Sequence, residues 1–278
     1  MNQSVCLTKS TTCLVVLVLY ISTSSLTLAA SFSTTPSADA FVATGPTGNL
    51  ATNNYGGGGA LAIAAPGLTN GEFQTVIKFS LSSIQTSLNS QFGIGQWSIQ
   101  SVSLQLVSSP HNNAIYNDFV PGLFGVSLMQ NNSWVEGSGT AGIPGTNGIT
   151  YTTLQSTYIN NAVDQPLGTF GFPGGTSGSN VYSLNLSSAL SEDILTGSDV
   201  SLRLFGADDK VSYLFNSRNV PSAGQPQLIV SVIPEQGTLA ILGFAVAMLY
   251  YRCRSVLQLP RILPVLSRAW TTLRVRGR

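Results

Sequence analysis

The sequence predicts an all-β protein, an antiparallel sandwich, set between two terminal segments that lie outside the fold. Short runs alternate apolar and polar residues with a period of two, the pattern of sheets with one buried and one wet face. Gly, Ser, Thr and Asn punctuate those runs, and a helical period is almost absent. The central body also has no cysteine, because Cys6 and Cys13 precede it and Cys253 follows it. Its stability must therefore come from an ordinary core, with no disulfide and no thiolate site.

The N-terminal segment carries Lys9, a polar stretch and the apolar run "CLVVLVLYI" (Cys13 to Ile21). "STSSLTLAA" follows and ends in small residues, which suits cleavage after Ala29 or Ala30. This order predicts a secretory signal peptide over residues 1–30, and the apolar run is too short to span a bilayer.

The body, residues 31–232, supplies the strands in order. "DAFVAT", "GALAIAA", "QTVIKFSL" and "LFGVSLMQ" are candidates. In "QSVSLQLVS", Val102, Leu104 and Leu106 point one way and Ser101, Ser103 and Gln105 the other. Tyr182, Leu184 and Leu186 alternate in "NVYSLNLSS", and Val200, Leu202 and Leu204 in "DVSLRLFG". "KVSYLFNS" repeats this with Val211, Tyr213 and Phe215, and "PQLIVSV" with Leu228, Val230 and Val232. The one helix expected is "SSALSEDIL" (Ser187 to Leu195), a crossing between strands. "NNYGGGGA" reads as a strand connection, since no lysine follows to make a phosphate loop. "GSGTAGIPGTNGITY" (Gly137 to Tyr151) reads as a long loop of the kind that often binds ligands.

Charge divides the chain. The body has ten acids (Asp39, Glu72, Asp118, Glu136, Asp164, Glu192, Asp193, Asp199, Asp208, Asp209) against Lys78, Arg203, Lys210 and Arg218, a balance of six negative units. Such a body argues against a nucleic-acid partner. Seven arginines and no acid follow Tyr251, which fits a cytoplasmic tail under the positive-inside rule.

Catalytic motifs are few. His111 is the only histidine, which excludes a multi-histidine zinc site and leaves any histidine triad resting on one loop residue. The adjacent pairs Glu192-Asp193 and Asp208-Asp209 read as solvated charges, because strand neighbours face opposite sides of a sheet. Sugar recognition needs aromatic faces beside amides and carboxylates. Trp97, Tyr116 and Phe119 fall at strand ends or in polar loops, and Trp134 and Tyr151 with Asn131, Asn132 and Glu136 form the first candidate glycan-binding set. The competing structural reading makes Trp134 a cover for one end of the sandwich.

Several of these segments resemble the DNRLRE-type domain, a jelly-roll-like sandwich related to carbohydrate-binding modules and found on secreted bacterial proteins. The resemblance runs through "ADAFVATG", "VIKFSLSSI", "WSIQSVSLQL", "SWVEGSGT" with "GITY", and "FNSRNVPSAGQPQLIVSV". Ser80 replaces the family's usual aspartate and Tyr151 its second tryptophan. The resemblance implies a jelly-roll-like body in which the tryptophan and glutamate belong to the shared framework. Such sandwiches often hold a structural calcium, for which Asp39 is the weak candidate ligand; no other cofactor or metal is expected.

Beyond the body, "GTLAILGFAVAMLYY" (Gly237 to Tyr251) is uncharged and as a helix spans roughly 22 Å, short of a hydrocarbon core near 30 Å. Tyr250 and Tyr251 suit the headgroup boundary, and Arg252 and Arg254 can snorkel outward. With "PEQGT" before it, this segment resembles the PEP-CTERM sorting signal at Pro234, Glu235, Gly237, Thr238 and Leu239, and in its basic end at Arg252 and Arg254. Gln236 stands where that signal usually has a second proline. The resemblance implies a membrane-anchored intermediate processed by an exosortase, a membrane cysteine transpeptidase, and release toward the cell surface or extracellular matrix of a Gram-negative-type bacterium. The expected plan is residues 1–30 signal peptide, 31–232 sandwich, 233–254 sorting signal with one transmembrane helix, and 255–278 basic cytoplasmic tail. The expected role is non-catalytic, structural or adhesive, in contact with polysaccharide. A dedicated carbohydrate-binding protein and, less favoured, a carboxylate-dependent carbohydrate-active enzyme stay open.

Overall fold

Eleven strands form two antiparallel sheets around one core in this computed structural model, which describes residues 29–110, 112–235 and 248. His111, nearly all of the expected signal peptide, the expected C-terminal helix apart from Met248, and the expected tail lie outside the described residues. Among the described residues no helix is long and apolar enough to cross a membrane.

The smaller sheet has the order β1-β11-β5-β8, from β1 (Ala30–Thr34), β11 (Gln227–Pro234), β5 (Trp97–Val107) and β8 (Ser179–Leu184). Its alternation follows the sequence. Val102, Leu104, Leu106, Leu228, Val230, Val232, Tyr182 and Leu184 all enter the core. The opposite face carries Ser31, Ser33, Ser101, Ser103, Gln105, Ser183, Gln227 and Ser231, and none of the four strands contains a charged residue. All the body's charges therefore belong to the other sheet, its connections and its helices.

The larger sheet runs β10-β3-β4-β9-β6-β7, with β2 also paired to β4. These are β2 (Ala38–Ala43), β3 (Ala60–Ala64), β4 (Phe73–Ser80), β6 (Gly122–Met129), β7 (Gln165–Phe172), β9 (Asp199–Gly206) and β10 (Ser212–Asn216). Phe73, Ile77, Phe79, Val200, Leu202, Leu204, Phe124, Val126 and Leu128 meet the smaller sheet's apolar face. Burial of this many apolar side chains, each worth about 1.5–3 kcal/mol, is what holds the two layers together.

Two elements depart from the sequence expectation. A helix α1 (Ser82–Phe92) follows β4, so the crossing helix is not the only one. It buries Ile84 and Leu88, one turn apart, and is otherwise mostly Ser, Gln, Asn and Thr. The second departure covers the 35 residues between β6 and β7 (130–164), which turn back over the outer face of the larger sheet. They contain a short helix α2 (Tyr151–Thr153), capped by Thr150 and continued as a wider turn over Leu154–Tyr158. Trp134, Ile149 and Leu154 from this segment form a second, smaller apolar cluster with Ala40, Val42, Val76 and Met129. The crossing helix α3 (Ser188–Thr196) starts at an N-cap on Ser187 and ends at Gly197 in the left-handed conformation, as Gly commonly ends helices.

Candidate functional site

Polar chemistry gathers at three places: one end of the sandwich, the covered outer face, and the exit of β11.

At the first, β2 puts Asp39 on the core side, one step from Phe41, and the residue is 0% exposed. Its Oδ2 accepts from the Arg218 backbone N–H at 2.6 Å, while the buried Oδ1 has no hydrogen-bond partner. Burial pushes the Asp39 carboxyl up to about 7, despite the Arg218 hydrogen bond that favours its charge; the neighbouring Glu136 raises it further. Glu136 itself is gripped by the Arg218 guanidinium at two points, Nε to Oε1 at 2.8 Å and Nη2 to Oε2 at 2.6 Å. This bidentate fork is the geometry in which arginine binds carboxylates best.

The segment around Glu136 is held by Asn54, which is fully buried. Its Nδ2 donates to the carbonyls of Glu136 at 2.6 Å and Ile149 at 2.8 Å, and its Oδ1 accepts from the N–H groups of Gly56 and Gly139. Gly137 has a φ of +78°, and a Cβ there would stand 2.2 Å from Asn54 Oδ1. The two glycine-rich segments therefore lock together around one amide, and "NNYGGGGA" is a packed connection.

At the second place, Trp134 lies 2% exposed, its Nε1 donating to Ser201 Oγ at 2.9 Å. Lys78 sits 4.6 Å from the ring centroid and donates to the carbonyls of Asn132 at 2.7 Å and Trp134 at 3.0 Å. The indole is enclosed between this ammonium and the second apolar cluster, so it has no open face for a sugar.

The remaining members of the glycan set are engaged in different ways. Asn131 Oδ1 accepts from the N–H and hydroxyl of Ser133, closing a local turn. Asn132 Nδ2 donates to the Asp199 carbonyl at 2.8 Å. Tyr151 is half-buried and donates its hydroxyl to Glu72 Oε2 at 2.7 Å; burial and that carboxylate both push the phenol's pKa up. Gln74 bridges Glu72 to Arg203, whose Nε donates to Gln74 Oε1 at 2.7 Å. The set therefore divides between a structural salt bridge and hydrogen bonds along β4 and β9.

Asp39 and Glu136 are neighbours, while other carboxylates are used locally. Asp208 accepts from the backbone N–H groups of Leu123, Lys210 and Val211, which hold its carboxyl below the usual range, so it fastens a turn. Glu192 and Asp193 lie on α3. Among the described residues no group of three or more His, Cys, Asp and Glu side chains is placed to hold a metal. Beside Asp39, the Glu136 carboxylate is paired with the Arg218 guanidinium. Of the other aromatic candidates, Trp97 and Tyr116 are buried, and Phe119 packs against the core.

Sequence reasoning missed Arg218, Lys78, Arg203 and Glu72 as members of these networks. The signal available was scarcity: with four bases among ten acids, each base in a charge-poor body has carboxylates or carbonyls to compete for it.

At the third place, β11 keeps its pairing with β5 through Ile233↔Ser98 and Pro234↔Trp97. The Glu235 N–H then donates to the Gln96 carbonyl at 2.8 Å. The compact unit ends at Glu235. No known family model matches the chain, and no curated protein is similar to it.

Proposed function

We propose that the chain is an exported protein of the cell envelope or extracellular matrix, sorted by an exosortase-type enzyme, with a non-catalytic structural or adhesive body. The observation that carries this reading is where the body closes. Its last strand ends at Pro234 and its compact unit at Glu235, the first two residues of the segment that resembles a sorting signal. Release at the motif leaves every described strand in the body.

The jelly-roll-like relationship belongs to the same proposal, as do the signal peptide and the transmembrane helix before processing. The charge-free face of the smaller sheet favours contact with uncharged polysaccharide, since hydroxyl and amide side chains can exchange hydrogen bonds with sugar hydroxyls without desolvating an ion. The engagement of Glu136 with Arg218 and of Asp208 with a turn supports a non-catalytic role.

Mass spectrometry of the mature protein tests the sorting reading. The expected chain begins near Ser31 and ends near Pro234–Glu235; a mature form that still carries Arg278 would reject processing. Binding of the mature body to a panel of neutral and anionic polysaccharides tests the adhesive part, with weak retention on neutral polymers expected.

A further inference from the structure

We propose that Pro234 and Glu235 are latched to the sandwich as the end of β11, and that the sorting enzyme acts only on the fraction of molecules in which this end has come away. The inference rests on the sorting reading above and adds a control on the same site.

The latch is visible in the register. After the irregularity between Ser231 and Val232, β11 resumes pairing with β5 and keeps it to Pro234↔Trp97. Glu235 extends the pairing by one hydrogen bond, to the Gln96 carbonyl. The partner strand is itself fixed there: Trp97 is 4% exposed and its Nε1 donates to Asn89 Oδ1 on α1 at 3.0 Å. A peptide enters a processing cleft as a free extended segment, with its backbone available to the enzyme. A bond at Pro234–Glu235 held on a sheet edge does not meet that requirement until the strand end unpairs.

The same geometry makes the latch weak enough to open. Proline has no N–H, so Pro234 adds no donor to the ladder. On the other side, among the described residues, the register of β1 ends at Ala30↔Val232, and Ile233 and Pro234 are paired with β5 alone. One net backbone hydrogen bond shifts an opening equilibrium about fivefold. Once the end is free, an enzyme thiol adds to the carbonyl carbon of the scissile peptide and its C–N bond breaks. The tail's new amine takes the thiol's proton, and water or an acceptor amine then displaces the thiol from the body.

The test is a pulse-chase of the full-length chain in cells that supply the sorting enzyme, with the processed fraction read by gel and the new end by mass spectrometry. A Gly-Ser-Gly-Ser insertion between Ile233 and Pro234 moves the motif off the sandwich, and processing is expected to accelerate about fivefold. The pair Ile233→Cys with Ser98→Cys joins two directly paired positions in a body with no cysteine of its own. Processing of that chain is expected to slow severalfold when oxidised and to return to the native rate with reductant, which also shows that the variant folds. If the native chain is processed and neither change alters its rate, the latch is refuted while the sorting reading stands. If the native chain is not processed at all, the sorting reading fails.

Discussion

Replacing Asp39 by asparagine isolates the cost of a carboxyl closed inside the sandwich. The residue is fully buried, one oxygen has a single backbone donor and the other has none. Its pKa of about 7 compares with about 3.9 in an unfolded chain. Between those values the unfolded state has lost the proton and the folded state keeps it, so stability falls as pH rises. The slope is about 1.4 kcal/mol per pH unit, or about 4 kcal/mol across the window as an upper bound. Above pH 7 the penalty is complete and stability no longer depends on this group.

The introduced amide cannot ionise, so the Asp39→Asn chain should lack this slope between about pH 4 and 7. Its carbonyl can still accept from the Arg218 N–H, and the charged form's hydrogen bond is already contained in the pKa of about 7. The expected result is near-equal stability at about pH 4.5 and a variant up to about 3 kcal/mol more stable at about pH 8. Urea melts of both chains across that range give the answer. Parallel pH profiles would refute the reasoning, because they would mean that Asp39 is ionised throughout.

Other outcomes follow from the same networks. Arg218→Ala leaves Glu136 unpaired beside Asp39 and should cost about 3 kcal/mol in urea melts, with Glu136→Gln in the same chain recovering part of it. Trp134→Ala opens a cavity under the loop between β6 and β7 and should cost about 3–5 kcal/mol by thermal melting, while retention on polysaccharide by the folded fraction stays at the native level. Gly137→Ala forces a Cβ into Asn54 at a left-handed position and should cost more than about 1 kcal/mol by thermal melting. Ser187→Ala removes the N-cap of α3, with an expected loss of about 1 kcal/mol in the same assay.

Alternation is clearest in the strands with one wet face. Val102, Leu104 and Leu106 in β5, and Leu228, Val230 and Val232 in β11, alternate because the other side of their sheet meets solvent. In β10 the residues Ser212 to Phe215 are all buried, so the alternation of Tyr213 and Phe215 describes only one of two covered faces. β7 was not legible because Pro166, Gly168 and Gly171 read as turn residues, and an edge strand tolerates them. α1 shows only Ile84 and Leu88 at helical spacing amid residues of modest helix propensity. At the candidate site, Trp134 and Glu136 were visible as a local pattern. Arg218 is 82 residues from Glu136, and a pairing made by topology leaves no mark on the spacing of either residue.

The order β1-β11-β5-β8 also sets a timetable. The hydroxyls of Ser31 and Ser231 meet at 2.8 Å although 200 residues separate them, and β11 fills the slot between β1 and β5. A chain made from its N-terminus therefore presents β1 and β5 with a gap between them until its last strand arrives. At a synthesis rate of about 5–20 residues per second, the stretch from the end of β5 to the end of β11 keeps that gap open for roughly 6–25 s. Throughout that interval two strand edges and the apolar face beneath them need protection from other unfinished chains. The residue that completes the ladder is Pro234, so the body becomes safe to release only when the segment that would release it has emerged.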